Sequence, residues 1–215
     1  MWKVEDLTIT LDELKNDVIT LDARDSFKKY ILGDNNWYFE NVLDISPDEI
    51  VVATKAFSKI IANEFNVNAE NVIMVGSAKI GYSLAPSPKD DRESKLFKAF
   101  SVEGVERKPS DIDVAIISES LFNNFWRLLR DSFRIEYSAY YNHIPRAIYR
   151  GYINENNLQN IQGCRKQWNR VAAISKKKVQ THFFTKHIIN YRIYRNWYDL
   201  EDYHIQTLRK IKREV

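Results

Sequence analysis

Val72-Ile73-Met74-Val75-Gly76-Ser77-Ala78-Lys79-Ile80-Gly81-Tyr82-Ser83-Leu84 and, further on, Pro109-Ser110-Asp111-Ile112-Asp113-Val114-Ala115-Ile116-Ile117-Ser118 are the stretches that decide how this chain folds. The first is a short apolar run ending in Gly-Ser, the pattern of a buried strand that turns sharply into a helix. The second is an apolar run that opens by alternating Asp111, Ile112, Asp113 and Val114. Alternate residues of a strand share a face, so both carboxylates point the same way. Two carboxylates on one face repel each other unless a cation sits between them. Hard oxygen ligands one residue apart suit Mg²⁺ or Mn²⁺, ions that keep several waters and are completed by substrate phosphates. The Gly76-Ser77 turn complements them, because backbone without a Cβ can approach a phosphate closely.

In this ordered combination the chain resembles the polymerase-beta-like nucleotidyltransferase superfamily, whose pattern is Gly-Ser, a spacer, then Ser-Asp-x-Asp followed by hydrophobic residues. Here the pattern reads Gly76-Ser77 and Ser110-Asp111-Ile112-Asp113, followed by Val114-Ala115-Ile116-Ile117. The resemblance covers residues 70 to 118. It implies a mixed α/β sheet flanked by helices (α/β or α+β). It also implies transfer of a nucleoside monophosphate from a nucleoside triphosphate to an acceptor hydroxyl on a protein, an RNA or a growing oligonucleotide. Asp111 and Asp113 would be catalytic and hold Mg²⁺ or Mn²⁺. Gly76, Ser77, Lys79, Tyr82, Ser110 and Arg192 would contact the nucleotide. Compact members of the superfamily act in bacterial antiviral defence and toxin-antitoxin systems, which implies a cognate toxin, antitoxin or effector as partner. The alternative is a degenerate module of the same fold that binds nucleotide, nucleic acid or a partner protein without turnover.

Active members of the superfamily use a third carboxylate on a later strand. The strand expected near residues 187 to 194 carries Asn190 and Arg192 instead, which leaves Glu136, Asp199 and Glu201 as alternatives. His182 and His187 are not spaced as a zinc pair. No P-loop or dinucleotide fingerprint occurs, and neither Ser77 nor Cys164 has a His-acid partner in sequence.

The remaining residues bound the class. With 215 residues, 44% hydrophobic and 13% aromatic, the chain can bury one sizeable core. We expect a single domain over residues 1–215, with a core from about 46 to 195 and a helical N-terminal extension over 1–45. No run reaches the roughly 18 apolar residues of a membrane span, Met1 to Asp6 lack the core of a signal peptide, and the single Cys164 fits a reducing compartment. The expectation is a cytoplasmic protein with no membrane partner. Net charge is only +3, yet residues 1 to 54 hold twelve acidic against five basic residues and residues 161 to 215 hold four against thirteen. The basic end is suited to attract phosphates.

Local patterns predict a helix over 11–32, broken near Thr20, and an aromatic loop at 35–39. A helix through Phe65 should start at the Ser46-Pro47-Asp48-Glu49 cap. Helices are also expected over 119–134, 157–174 and 199–212, with a basic loop at Lys176 to Lys178 and a strand ending at Tyr194. The Ser77 to Asp111 spacer is longer than the family's, and residues 86–108 read as a flap over the nucleotide site, anchored by Leu96, Phe97 and Phe100.

Overall fold

The computed structural model describes residues 9–86, 94–102, 108–135 and 139–214. Ten α-helices and four strands are assigned among them: α1 (Leu11–Thr20), α2 (Ala23–Phe27), α3 (Trp37–Asn41), α4 (Ile50–Phe65), β1 (Val72–Val75), α5 (Ser77–Ile80), β2 (Ile112–Ile117), α6 (Glu119–Phe133), α7 (Ile144–Tyr149), β3 (Tyr152–Asn154), α8 (Glu155–Asn160), α9 (Gln162–His182), β4 (Ile189–Tyr194) and α10 (Trp197–Ile211). The strands form one mixed sheet in the order β1-β2-β4-β3. This is the helix-flanked mixed sheet expected from the sequence.

The chain divides into two compact units. The first comprises residues 1–54, 74–112 and 204–215, and the second residues 55–73 and 113–203. The division passes through α4, β1, β2 and α10, so it follows packing rather than chain order.

In the first unit, the predicted break near Thr20 is present. Leu21 leaves the helix in an extended conformation, and Asp22 caps α2 by accepting from the Arg24 amide at 2.8 Å. Leu14, Val18, Phe27, Tyr30 and Ile31 are buried along this segment. The stretch expected as an aromatic loop is helix α3 instead. The Asn36 side chain accepts from the Phe39 amide and supplies the N-cap, a signal that the run of aromatics obscured. Residues 46–49 are a turn before α4 rather than its first turn. Ser46 Oγ donates to the Glu49 carboxylate at 2.6 Å, and the helix begins at Ile50.

The second unit is built around rings. Trp168 of α9 lies against Phe65, Phe125 and Tyr191 with centroids 5.4 to 6.1 Å apart, distances at which tilted and edge-to-face pairs add to the gain from burial. Cys164, Trp168, Ala172, Ser175 and Val179 form the buried stripe of α9 at intervals of three and four residues. This stripe corrects the reading of Lys176 to Lys178 as a loop, since the helix continues through them to His182. Lys176 pairs with Glu155 at 2.5 Å and Lys178 pairs with Glu64. Strand β3 pairs antiparallel with β4, placing Tyr152 opposite Tyr194, Ile153 opposite Ile193 and Asn154 opposite Arg192.

Candidate functional site

β1 ends where the sequence predicts, and the turn that follows has an enforced composition. Gly76 sits at φ 71°, ψ −155°, a region that only glycine occupies without strain. Ser77 then opens α5, a single turn closed by Gly81 at φ 90°. The apolar side chains of this turn, Ala78 and Ile80, are buried.

Lys79 lies in the same turn, and its ammonium is committed inward. It is 7% exposed and donates to the Gly33 carbonyl at 2.6 Å. Burial pushes its pKa down to about 8, with the Asp34 carboxylate opposing the shift. A lysine drawn to a backbone carbonyl stabilises the α5 turn. It reaches a phosphate only after giving up that bond.

The long spacer leaves this turn as an antiparallel ribbon. Tyr82 bridges Ala99, Ser83 exchanges backbone hydrogen bonds with Phe97 and Lys98, and Phe100 donates to the Gly81 carbonyl at 2.7 Å. Phe100 is buried between Trp37 and Tyr38, with ring centroids 5.6 Å away in each case. Of the three expected anchors, Phe100 docks fully, whereas Leu96 and Phe97 are half-buried. The parts of the expected flap at 87–93 and 103–107 lie outside the described residues. The ribbon closes at Ser110, which donates its amide to the Ser101 carbonyl at 2.8 Å and accepts from the Ser101 amide on its hydroxyl at 3.0 Å. Ser110 thus fixes the entry to β2.

Asp111 and Asp113 follow at once. Ile112 between them is 0% exposed, and Asp113 is exposed. Asp113, the second residue of β2, therefore lies on the face opposite Ile112, while Asp111 immediately precedes the strand and is half-buried. Among the described residues no group of three His, Cys, Asp or Glu side chains is placed to share a metal ion. The donor set is two carboxylates, which fits Mg²⁺ or Mn²⁺ holding waters and substrate phosphates, and does not fit a cage supplied wholly by protein.

Of the alternatives for a third acid, Glu136 lies outside the described residues. Asp199 is taken by Arg195 through two bonds of 2.8 and 3.1 Å and is pressed against Gly151, where an added Cβ would sit 2.1 Å from its carboxyl carbon. Glu201 is on α10 and half-buried. Strand β4 carries Arg192, as the sequence indicated, and within the second unit this guanidinium lies in the field of Asp113. Burial works against the charge of Arg192, but the hydroxyls of Tyr194 and Tyr203 and the Asp113 carboxylate outweigh it and hold the group firmly protonated. Its Nε donates to Asn154 Oδ1 at 2.9 Å and its Nη1 to Tyr194 Oη at 3.3 Å. Burial pushes the Tyr194 hydroxyl well above its ordinary range, so it stays neutral and can accept.

The residues that sequence reasoning missed surround Arg192. Tyr152, Tyr203 and Arg150 complete the cluster. The available signal was the alternation Asn190, Arg192, Tyr194, which is polar or amphipathic at every second position of β4. Only the register with β3 shows which residues it meets.

Comparison of the chain with family models, curated proteins and solved structures finds no match.

Proposed function

We propose that the protein is a metal-dependent nucleotidyltransferase that moves a nucleoside monophosphate from a triphosphate to an acceptor hydroxyl, on the side of the sheet where β2 begins. The observation that carries this reading is the glycine-only turn at Gly76 that ends β1, followed along the chain by Asp111 and Asp113 on either side of the buried Ile112 where β2 begins. Asp111 and Asp113 would hold the divalent ion, which when bound neutralises triphosphate oxygens and polarises the α-phosphorus. Gly76 presents backbone without a Cβ to the phosphates, Ser77 adds its hydroxyl, and Tyr82 lies on the ribbon leaving the same turn. Arg192 supplies a fixed positive charge beside Asp113. In this arrangement the resemblance's antiviral or toxin-antitoxin setting, with a nucleic acid or protein acceptor, is the context the activity would serve.

One observation favours a second reading. An arginine faces Asp113 from the strand on which active members of the superfamily carry an acid, and it leaves the acceptor hydroxyl without an evident base. A module that binds triphosphate without turnover accounts for that. Incubating the protein with each radiolabelled triphosphate and Mg²⁺ or Mn²⁺, alone and with RNA or cell protein, separates the two. Release of pyrophosphate with label entering a larger product is the expected result. Retention of label on the protein only as intact, exchangeable triphosphate replaces the enzyme with the binding module.

A further inference from the structure

We propose that the arginine–tyrosine cluster of the second unit is an anion site that takes the polyphosphate tail of a small phosphate ester without help from a divalent ion. Its core is two guanidinium groups stacked on the same two rings. Arg192 Cζ lies 5.1 Å from the centroid of Tyr152 and 4.8 Å from that of Tyr203, and Arg150 Cζ lies 5.8 and 4.9 Å from the same two. Sharing Tyr203 limits the two cations to a separation of about 10 Å, the screening length at moderate salt. Like charges held this close favour an anion between or above them.

The donors are prepared for one. Arg192 spends Nε on Asn154 and one Nη1 hydrogen on Tyr194, which fixes the plane of the group and leaves most of its five N–H donors for a ligand. Among the described residues no carboxylate lies within hydrogen-bond distance of Arg150. A guanidinium fork of set orientation matches phosphate oxygens in pairs. The residues around the two arginines, Tyr152, Asn154 and Tyr203, are only half-buried, so a ligand can enter from solvent.

The geometry also selects the ligand. Nucleic-acid strands are bound by stacking bases on open aromatic faces. Here Tyr152 and Tyr203 meet edge to face at 5.3 Å and 80°, and arginines cover their faces. The site therefore offers charge and N–H donors rather than stacking surface, which suits inorganic pyrophosphate, tripolyphosphate or the triphosphate of a nucleotide. Asp113, whose charge acts on Arg192, opposes an anion in the absence of metal. The site needs neither a metal nor Asp111, although it shares Arg192 with the proposed transfer reaction, so binding in the absence of metal is what sets it apart.

Calorimetric titration of the full chain with tripolyphosphate in EDTA tests this. The expected result is binding that Arg150→Gln and Arg192→Gln each weaken by roughly tenfold, the loss of one charge-assisted contact. Arg192→Lys should retain part of it, and Asp113→Asn should tighten it. That last sign is opposite to the loss of metal-dependent transfer predicted for the same variant, so failure of one reading is distinguishable from failure of the other. Thermal unfolding of each variant checks the fold, and the lysine and asparagine variants carry the test if a glutamine variant unfolds. No binding by the native chain in EDTA, unchanged affinity in the Arg150 and Arg192 variants, or tighter binding of a single-stranded oligonucleotide than of tripolyphosphate overturns the proposal.

Discussion

Replacing Glu155 by alanine should be among the most damaging single changes in the second unit. The side chain is 5% exposed, and its carboxylate gathers four donors from three elements. Oε1 accepts from Lys176 Nζ at 2.5 Å, Gln159 Nε2 at 2.6 Å and Trp168 Nε1 at 3.3 Å, and Oε2 accepts from the Tyr191 amide of β4 at 2.8 Å. Truncation strands the buried indole N–H and a strand amide, each costing about 1–3 kcal/mol when left without a partner. It also removes the counter-ion of Lys176, a loss that for a fully buried pair contributes to a total of about 3–5 kcal/mol. Lys176 keeps 21% of its side chain in solvent, so water recovers part of its solvation. We therefore expect a loss near 3–4 kcal/mol, a large share of the roughly 5–15 kcal/mol that holds a domain together. Glu155→Gln keeps the shape and one acceptor but not the charge, and should lose about half as much. Urea unfolding followed by tryptophan fluorescence and far-ultraviolet dichroism measures both. If Glu155→Ala costs less than about 1 kcal/mol, the four hydrogen bonds to this buried carboxylate do not hold the unit, and the account of its core is wrong.

Gly76→Ala should destabilise by about 1–3 kcal/mol, because φ 71° with ψ −155° is closed to a residue with a Cβ; a melting temperature equal to that of the native chain contradicts the backbone assignment. Gly151→Ala should displace Asp199 and break its pair with Arg195, since the new Cβ meets the Asp199 carboxylate, and in an Asp199→Ala background the loss should shrink to the backbone strain of a Cβ at φ 73°. Lys79 yields a pH signature. Its folded pKa of about 8 lies below the unfolded 10.5, so between these values the unfolded chain binds the extra proton. Stability of the native chain relative to Lys79→Met should therefore rise by about 1.4 kcal/mol per pH unit from pH 8 to 10, and a flat difference over that range refutes the buried ammonium.

The parts of the fold legible in the sequence are those set by local pattern. The apolar runs at 72–75 and 112–117, the helix starting at Glu119 and the break after Thr20 all follow from residues within a few positions of each other. Errors arose where one local cue masked another. The lysines at 176–178 suggested a loop, yet the stripe from Cys164 to Val179 has helical spacing and carries them along. The aromatics at 37–39 hid the Asn36 cap. The turn at Gly76 and the start of β2 at Ile112 were legible because turn chemistry and strand patterning are local. The Arg150 and Arg192 cluster was not, because it depends on the β3–β4 register and on a tyrosine from α10, contacts between residues far apart in the chain. The inward turn of Lys79 toward Gly33 is non-local in the same way.

The central claim is that Asp111 and Asp113 bind a divalent ion together with a triphosphate. Electron paramagnetic resonance of Mn²⁺ titrated into the protein with a non-hydrolysable triphosphate measures that directly. The account predicts nucleotide-dependent Mn²⁺ binding by the native chain and its loss in both Asp111→Asn and Asp113→Asn, with the far-ultraviolet dichroism of each variant unchanged. Mn²⁺ binding that survives both substitutions, or a native chain that binds no Mn²⁺ with triphosphate present, contradicts it.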